Sequence, residues 1–118
     1  MDPTEHWAGI RASHRHGPVW VIELVGDFDY SNLNDIAEAT AHALRAHPGP
    51  LVFDMAALTF CDSSLLNHLL RVRAERRVML TQVPEQARRL FEVTGTSDHL
   101  EEHKDIREAV DSVDPADQ

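Results

Sequence analysis

Two adjacent hydroxyls, Ser63 and Ser64, follow Asp62 at the junction between an apolar run and a helical pattern. The first chemistry to weigh there is nucleophilic. A serine hydrolase needs a base within hydrogen-bond reach and an oxyanion hole, and the α/β-hydrolase elbow flanks its serine with glycine as G-x-S-x-G. Here the flanking residues are Cys61, Asp62 and Leu65, so the elbow is absent, and 118 residues leave little material for a deep pocket. The second is phosphate chemistry. Asp62, Ser63 and Ser64 are residue types that favour helix N-caps. The unpaired N–H groups and dipole of a helix N-terminus stabilise negative charge such as a phosphate.

Metal binding is the third. Among eight histidines, His14 and His16 fall on the same side of an extended segment, and His99 and His103 stand four apart on a candidate helix. Neither pair has a third ligand at a recognised spacing, so solvated surface histidines are expected, with His68 on a helix face, and no metal. The five glycines are widely separated, which rules out a Gly-rich phosphate loop and self-contained ATP hydrolysis; no cofactor is expected.

The elements around these serines follow from periodicity. Leu51-Val52-Phe53, after Pro48-Gly49-Pro50, reads as a strand buried on both faces; Leu65, Leu66, Leu69, Leu70 and Val72 then recur at helical spacing. This makes strand, loop, helix. Upstream, weak alternation over Trp7–His14 predicts a first edge strand, His16-Gly17-Pro18 a turn, and Val19–Val25 a second strand with Trp20 in its core. Ser31 and Asn32 can cap a helix whose apolar positions are Leu33, Ile36, Ala37, Ala41 and Leu44, and Pro48 ends it near Ala46.

Downstream, the helix after Ser63 closes with Arg71, Arg73, Arg76 and Arg77, read as a solvated cationic face. Val78–Val83 is a strand, and Pro84 opens a helix with Ala87, Leu90, Phe91 and Val93 inside and Gly95 as its stop. A short strand near Leu100 and a helix through Ile106, Ala109, Val110 and Val113 complete the chain. The order predicts an α/β domain with a mixed sheet of four to five strands, its parallel part joined by right-handed crossovers. Its core spans about residues 7–113, with loosely ordered tails at 1–6 and 114–118. Asp27, Asp29, Asp54 and Asp62 are expected at one end of the sheet, and Cys61 as a small buried hydrophobe.

A net charge of −9, with Lys104 the single lysine, argues against a nucleic-acid or anionic-membrane surface and suits a protein partner. No apolar run approaches the roughly 20 residues that span a bilayer, and Met1–Trp7 lacks the features of a signal peptide, so a cytoplasmic protein without membrane insertion is expected.

Three segments carry a family resemblance. Phe60-Cys61-Asp62-Ser63-Ser64-Leu65-Leu66 resembles the F-x-D-S-[ST]-G-L segment of STAS domains, particularly the bacterial anti-sigma-factor antagonists. Gly26-Asp27-Phe28-Asp29 is similar to their G-E-[LF]-D segment. Gln86 through Gly95 is similar to their V-x-R-L-F-x-x-[ST]-G segment. The resemblance implies a single STAS-like domain with about four helices packed mainly on one side of the sheet. It implies no enzyme, but a transcription regulator that binds an anti-sigma factor which is also a serine kinase. Phosphorylation at Ser63 would release it and a phosphatase would reset it.

On that reading Asp29 and Asp62 border the phosphoacceptor, Ser64 is a helix cap, and Asp27, Asp29, Ser31, Asn32, Asp62, Ser63, Ser64 and Leu65 meet the partner. Leu65 departs from the family glycine, which is expected to narrow access to Ser63; Asn67 replaces a small residue, and a helix over Ser64–Arg77 leaves a shortened connection to Val78. The alternative is a STAS module that is never phosphorylated and serves as a structural subunit in a lipid-transport or stress-signalling assembly. Monomer and homodimer both stay open.

Overall fold

The computed structural model describes residues 7–114; the expectations for residues 1–6 and 115–118 lie outside the described residues. A hairpin comes first, with β1 (Ile10–His16) antiparallel to β2 (Val19–Phe28). Its turn uses Gly17 at φ +61, a left-handed conformation that glycine adopts without steric cost. Each later strand arrives through a helix: α1 (Leu33–Ala46) leads to β3 (Leu51–Cys61), α2 (Ser63–Arg73) to β4 (Val78–Thr81), and α3 (Glu85–Val93) to β5 (Glu101–His103). A short α4 (Ile106–Asp111) closes the described chain.

Among the described residues the sheet has five strands in chain order, with β2 through β5 parallel. Right-handed crossovers that step the same way each time must lay their helices on one face. So α1, α2 and α3 share a face, and α4 packs on the other. Strand alternation divides the core accordingly. Ile22, Leu24, Leu51, Phe53, Met55, Val78 and Leu80 lie beneath the three helices with Trp20 packed at the margin, whereas Val19, Val21, Val52 and Met79 pack with Ala109 and Val113.

Several expected boundaries move, each for a local reason. β1 starts at Ile10, and Trp7 instead packs against His42 in a tilted arrangement with ring centroids 5.7 Å apart. In α1 the buried positions are Ile36, Ala39, Thr40 and Ala43, so Ala37 faces solvent. β4 stops at Thr81 because Gln82 turns to φ +55, and Pro84 is the extended N-cap of α3 rather than a residue of its first turn. Val93 lies outside, not on the inner face of α3.

α2 ends at Arg73, which leaves residues 74–77 as an ordinary connection, not a shortened one. The arginine run is only half solvated. Arg76 turns inward and donates to the carbonyls of His47 (2.6 Å), Gly49 (2.8 Å) and Leu44 (3.3 Å), satisfying acceptors at and beyond the C-terminus of α1. Arg77 forks onto Glu101 of β5 at 3.0 and 2.6 Å.

The histidines divide in the same way. His99 sits in a 3-10 turn and His103 in β5 against Glu101 and Glu108, so they do not share a helix. His47 and His68 are buried rather than solvated, and His68 Nε2 meets Thr40 Oγ1 at 3.0 Å, tying α2 to α1.

Two predictions follow from these ties. Arg76→Ala removes one charged donor from three carbonyls, and urea unfolding should show a loss of about 2–4 kcal/mol. Burial, with Arg71 adding to it, pushes the His68 imidazole down to about 4. Between that value and the unfolded histidine's 6.5, the unfolded chain binds the extra proton. Stability is therefore fully present above about pH 6.5 and declines as pH falls towards 4, by about 2 kcal/mol once solvent screening is allowed for. Urea midpoints across this range should fall for the wild type and flatten in His68→Gln.

Candidate functional site

β2 and β3 run on after β4 has stopped. The pairing of β3 with β4 ends at Asp54–Thr81, yet β2 and β3 stay paired to Phe28–Cys61. β3 carries one extra residue at each of two register shifts, between Glu23 and Val25 and between Gly26 and Asp27. Each inserted residue bends the strand and would reverse its faces, so two restore the original alternation while redirecting the strand end. Leu58 and Cys61 therefore return to the core, and Phe60 faces out.

Asp29 and Asp62 each come one residue after the Phe28–Cys61 pair, which sets them side by side at the strand ends. The Asp62 N–H donates to Phe28 O at 3.1 Å. On the other edge of Cys61 no strand is present, and a side chain takes that place. Gln86 of α3 accepts from Cys61 N at 3.0 Å and donates to Cys61 O at 2.9 Å, copying the paired bonds of a neighbouring strand. Both polar groups of a buried backbone unit are thus satisfied.

Asp62 is the extended N-cap of α2, and its Oδ1 accepts from Ser64 N at 2.8 Å. Ser64 is therefore capped and does not itself cap. Ser63 is the first helical residue and is exposed; among the described residues no hydrogen bond engages its hydroxyl. Leu65 requires a correction. It is 1% exposed and its side chain packs in the core beneath the helices, so it presents no side-chain surface beside Ser63.

The loop after β2 is tied to itself. Asp29 accepts from Ser31 N at 2.8 Å and from the Ser31 hydroxyl, while Asn32 Oδ1 accepts from Asp29 N and Asn32 Nδ2 donates to Asp27 O at 2.7 Å. The Ser31 hydrogen bonds hold the Asp29 carboxyl below its ordinary range, so it remains charged at neutral pH. The Asp27 carboxylate accepts from the Thr59 hydroxyl. The structure thus gathers Asp27, Asp29, Ser31, Asn32, Asp62, Ser63 and Ser64 at one end of β2 and β3. Asp54 is not with them: it is buried inside β3, accepting from Thr81 at 3.0 Å.

Nothing here assembles a hydrolytic pair. His68 lies on the helix that carries the serines, but its hydrogen-bonded hydroxyl is that of Thr40. Cys61 is buried and its thiol is pushed up to about 11 by burial, with Asp62 adding to it, so it is not a thiolate. Among the described residues no group of three or more histidine, cysteine or carboxylate side chains is placed to hold a metal ion. An open depression of about 450 Å3, lined by Arg73, Arg77, Asp98 and His99 among others, lies at the opposite end of the parallel strands.

Sequence reasoning missed Gln86, Thr59, Tyr30 and the outward turn of Phe60. Gln86 stood at the start of the α3 family segment, but nothing in the sequence pointed it at Cys61. Tyr30 and Phe60 are 81% and 45% exposed, unusual for aromatic side chains beside a core strand.

The family model described as "Mlab, STAS domain" matches residues 12–102. An anti-sigma factor antagonist from Mycobacterium paratuberculosis superposes with a TM-score of 0.79 at 20% identity, covering 86% of this chain and 91% of that one. The unphosphorylated form of the anti-sigma factor antagonist SpoIIAA gives 0.69 at 21% identity, covering 85% and 92%. The phosphorylated form of the Bacillus cell fate determinant SpoIIAA gives 0.63 at 20%, covering 87% and 98%. At these identities the likeness is one of fold. Among curated protein sequences no match was found.

Gln86→Ala should leave the fold intact but loosen the strand end that carries Asp62 and Ser63. The expected readout is faster amide exchange at Cys61 and Asp62, at a stability cost of about 1–3 kcal/mol.

Proposed function

Because the chain belongs to the STAS domain family, we propose that it is an anti-sigma-factor antagonist, binding an anti-sigma serine kinase until phosphorylation at Ser63 releases it. The observation that carries the reading is the exposed, unengaged hydroxyl of Ser63 as the first residue of α2, directly after the Asp62 cap. The structural likeness to antagonists of both phosphorylation states adds support. A regulator of this kind performs no turnover of its own; it works in the cytoplasm on transcription, and a phosphatase resets it.

Charge supplies the mechanism. A phosphate adds about −1.5 to −2 charges and three acceptor oxygens. The free domain tolerates it because the N-terminus of α2 faces the phosphate with backbone N–H groups. A kinase interface of about 1,600 Å2 does not, since a desolvated unpaired charge costs several kcal/mol and each 1.4 kcal/mol is tenfold in affinity. Release then needs no large change of shape, because the phosphate acts where the surfaces meet.

Leu65 does not favour the alternative of a non-phosphorylated structural subunit on steric grounds, because its side chain is buried in the core beneath the helices. That alternative becomes an outcome of the test. Incubation with ATP and candidate anti-sigma kinases of the same genome, followed by peptide mass spectrometry, should place one phosphate on Ser63 and none on Ser63→Ala. Phosphorylated protein should bind the kinase at least tenfold more weakly. A kinase that binds but never modifies Ser63 would identify a constitutive antagonist, and absence of any kinase binding would favour the structural subunit.

A further inference from the structure

Among the described residues, the face of the sheet opposite α1, α2 and α3 is covered only as far as α4 reaches. α4 has six residues, and its Ala109, together with Val113, packs on Val19, Val21, Val52 and Met79. Strand alternation carries the next positions on that face to Glu23, Asp54, Thr81 and His103, which stand in register across four strands. This row is satisfied within the chain. Arg11 and His14 face Glu23, Thr81 donates to Asp54, and His103 meets Glu101 and Glu108.

Beyond the row only β2 and β3 continue. Their next residues on the same face are Val25 with its partner Ala57, then Asp27 with its partner Phe60. Val25 is 36% exposed and Phe60 45%. The two register shifts in β3 are what align Phe60 with Asp27 on this face. Single exposed apolar residues are ordinary, but here a valine and an aromatic ring line one strip of bare sheet. Its rim is acidic: among the described residues no arginine, lysine or histidine pairs with Asp27 or Asp62 at the same strand ends.

We propose that this strip anchors the anti-sigma kinase, which seats an apolar side chain between Val25 and Phe60 and places arginine or lysine against Asp27 and Asp62. The inference rests on the function proposed above and extends the interface from the Ser63 end onto the bare sheet. Charge complementarity selects this occupant. A second copy of the chain would bring the same carboxylates together, whereas a basic rim neutralises them. An aromatic residue centred in an interface is also the kind of side chain that carries much of its binding energy.

The test is calorimetric binding of the unphosphorylated full chain to the candidate anti-sigma kinases, with wild type, Phe60→Ser and Val25→Thr, at low and high salt. Thermal melts establish that each variant folds; Val25→Thr keeps the β-branched shape and carries the test if Phe60→Ser does not fold. The expected result is at least a tenfold loss of affinity in Phe60→Ser, a smaller loss in Val25→Thr, and weaker wild-type binding at high salt. A wild type that binds a kinase while both folded variants bind equally well overturns the strip and leaves the kinase reading standing. A wild type that binds no candidate kinase overturns both. Sedimentation showing a wild-type dimer that Phe60→Ser abolishes would assign the strip to a second copy and overturn the kinase as its occupant.

Discussion

The structure depends on one pairing, the parallel ladder between β2 and β3, which outlasts the rest of the sheet. Its far end has a neighbour on one side only. A backbone edge left bare in a partly buried place would carry unsatisfied N–H and C=O groups. Gln86 closes that edge with a side-chain amide, so the strand can end at Cys61 and α2 can begin two residues later without fraying. The position of Ser63 is thus set by a helix on its far side as much as by its own segment.

Placement of charge follows from the same geometry. Parallel strands that end together deliver the residues after them together, which brings Asp29 next to Asp62 although 33 positions separate Phe28 from its partner Cys61. Asp29 is held ionised by the turn it caps, and Asp62 is spent on the cap of α2. Arg76 and Arg77 are drawn to the opposite end, to the end of α1 and to Glu101, while Arg88 and Arg89 of α3 pair with Glu102 and Glu85. The serine end of the molecule is acidic and the opposite end is cross-tied by arginine. The phosphate proposed for Ser63 would meet carboxylates and a helix dipole, and the balance between them would be local to one end.

The helical layer is fixed without using the site. His68 and Thr40 join α2 to α1 through a buried polar contact, and Arg76 joins the segment after α2 to the end of α1. Such contacts are costly to leave half made, which gives the layer a single arrangement. With those helices fixed, the charge change proposed at Ser63 would require no change of fold.

By itself the sequence determined the element order, the alternation of strand and helix, a helix after Asp62, and the motifs shared with STAS domains, whereas the loop expected before that helix is strand as far as Cys61. These are properties of hydrophobic period, caps and breakers, all of which act within a few residues. It also marked Asp27, Asp29, Asp62 and Ser63 as companions, through segments that the fold does bring together. What only the tertiary structure decided depends on contacts between residues far apart in the chain. Leu65 became core because the first turn of α2 packs into the cluster beneath the helices, Arg76 became a tie because the end of α1 lies within its reach, and His68 became buried because Thr40 faces it. Leu58 entered the core beneath the helices through the first of two single-residue insertions in β3, since a one-residue shift reverses a strand's faces while leaving no trace in composition. Local chemistry wrote the elements; the register between distant strands decided which side chains meet solvent.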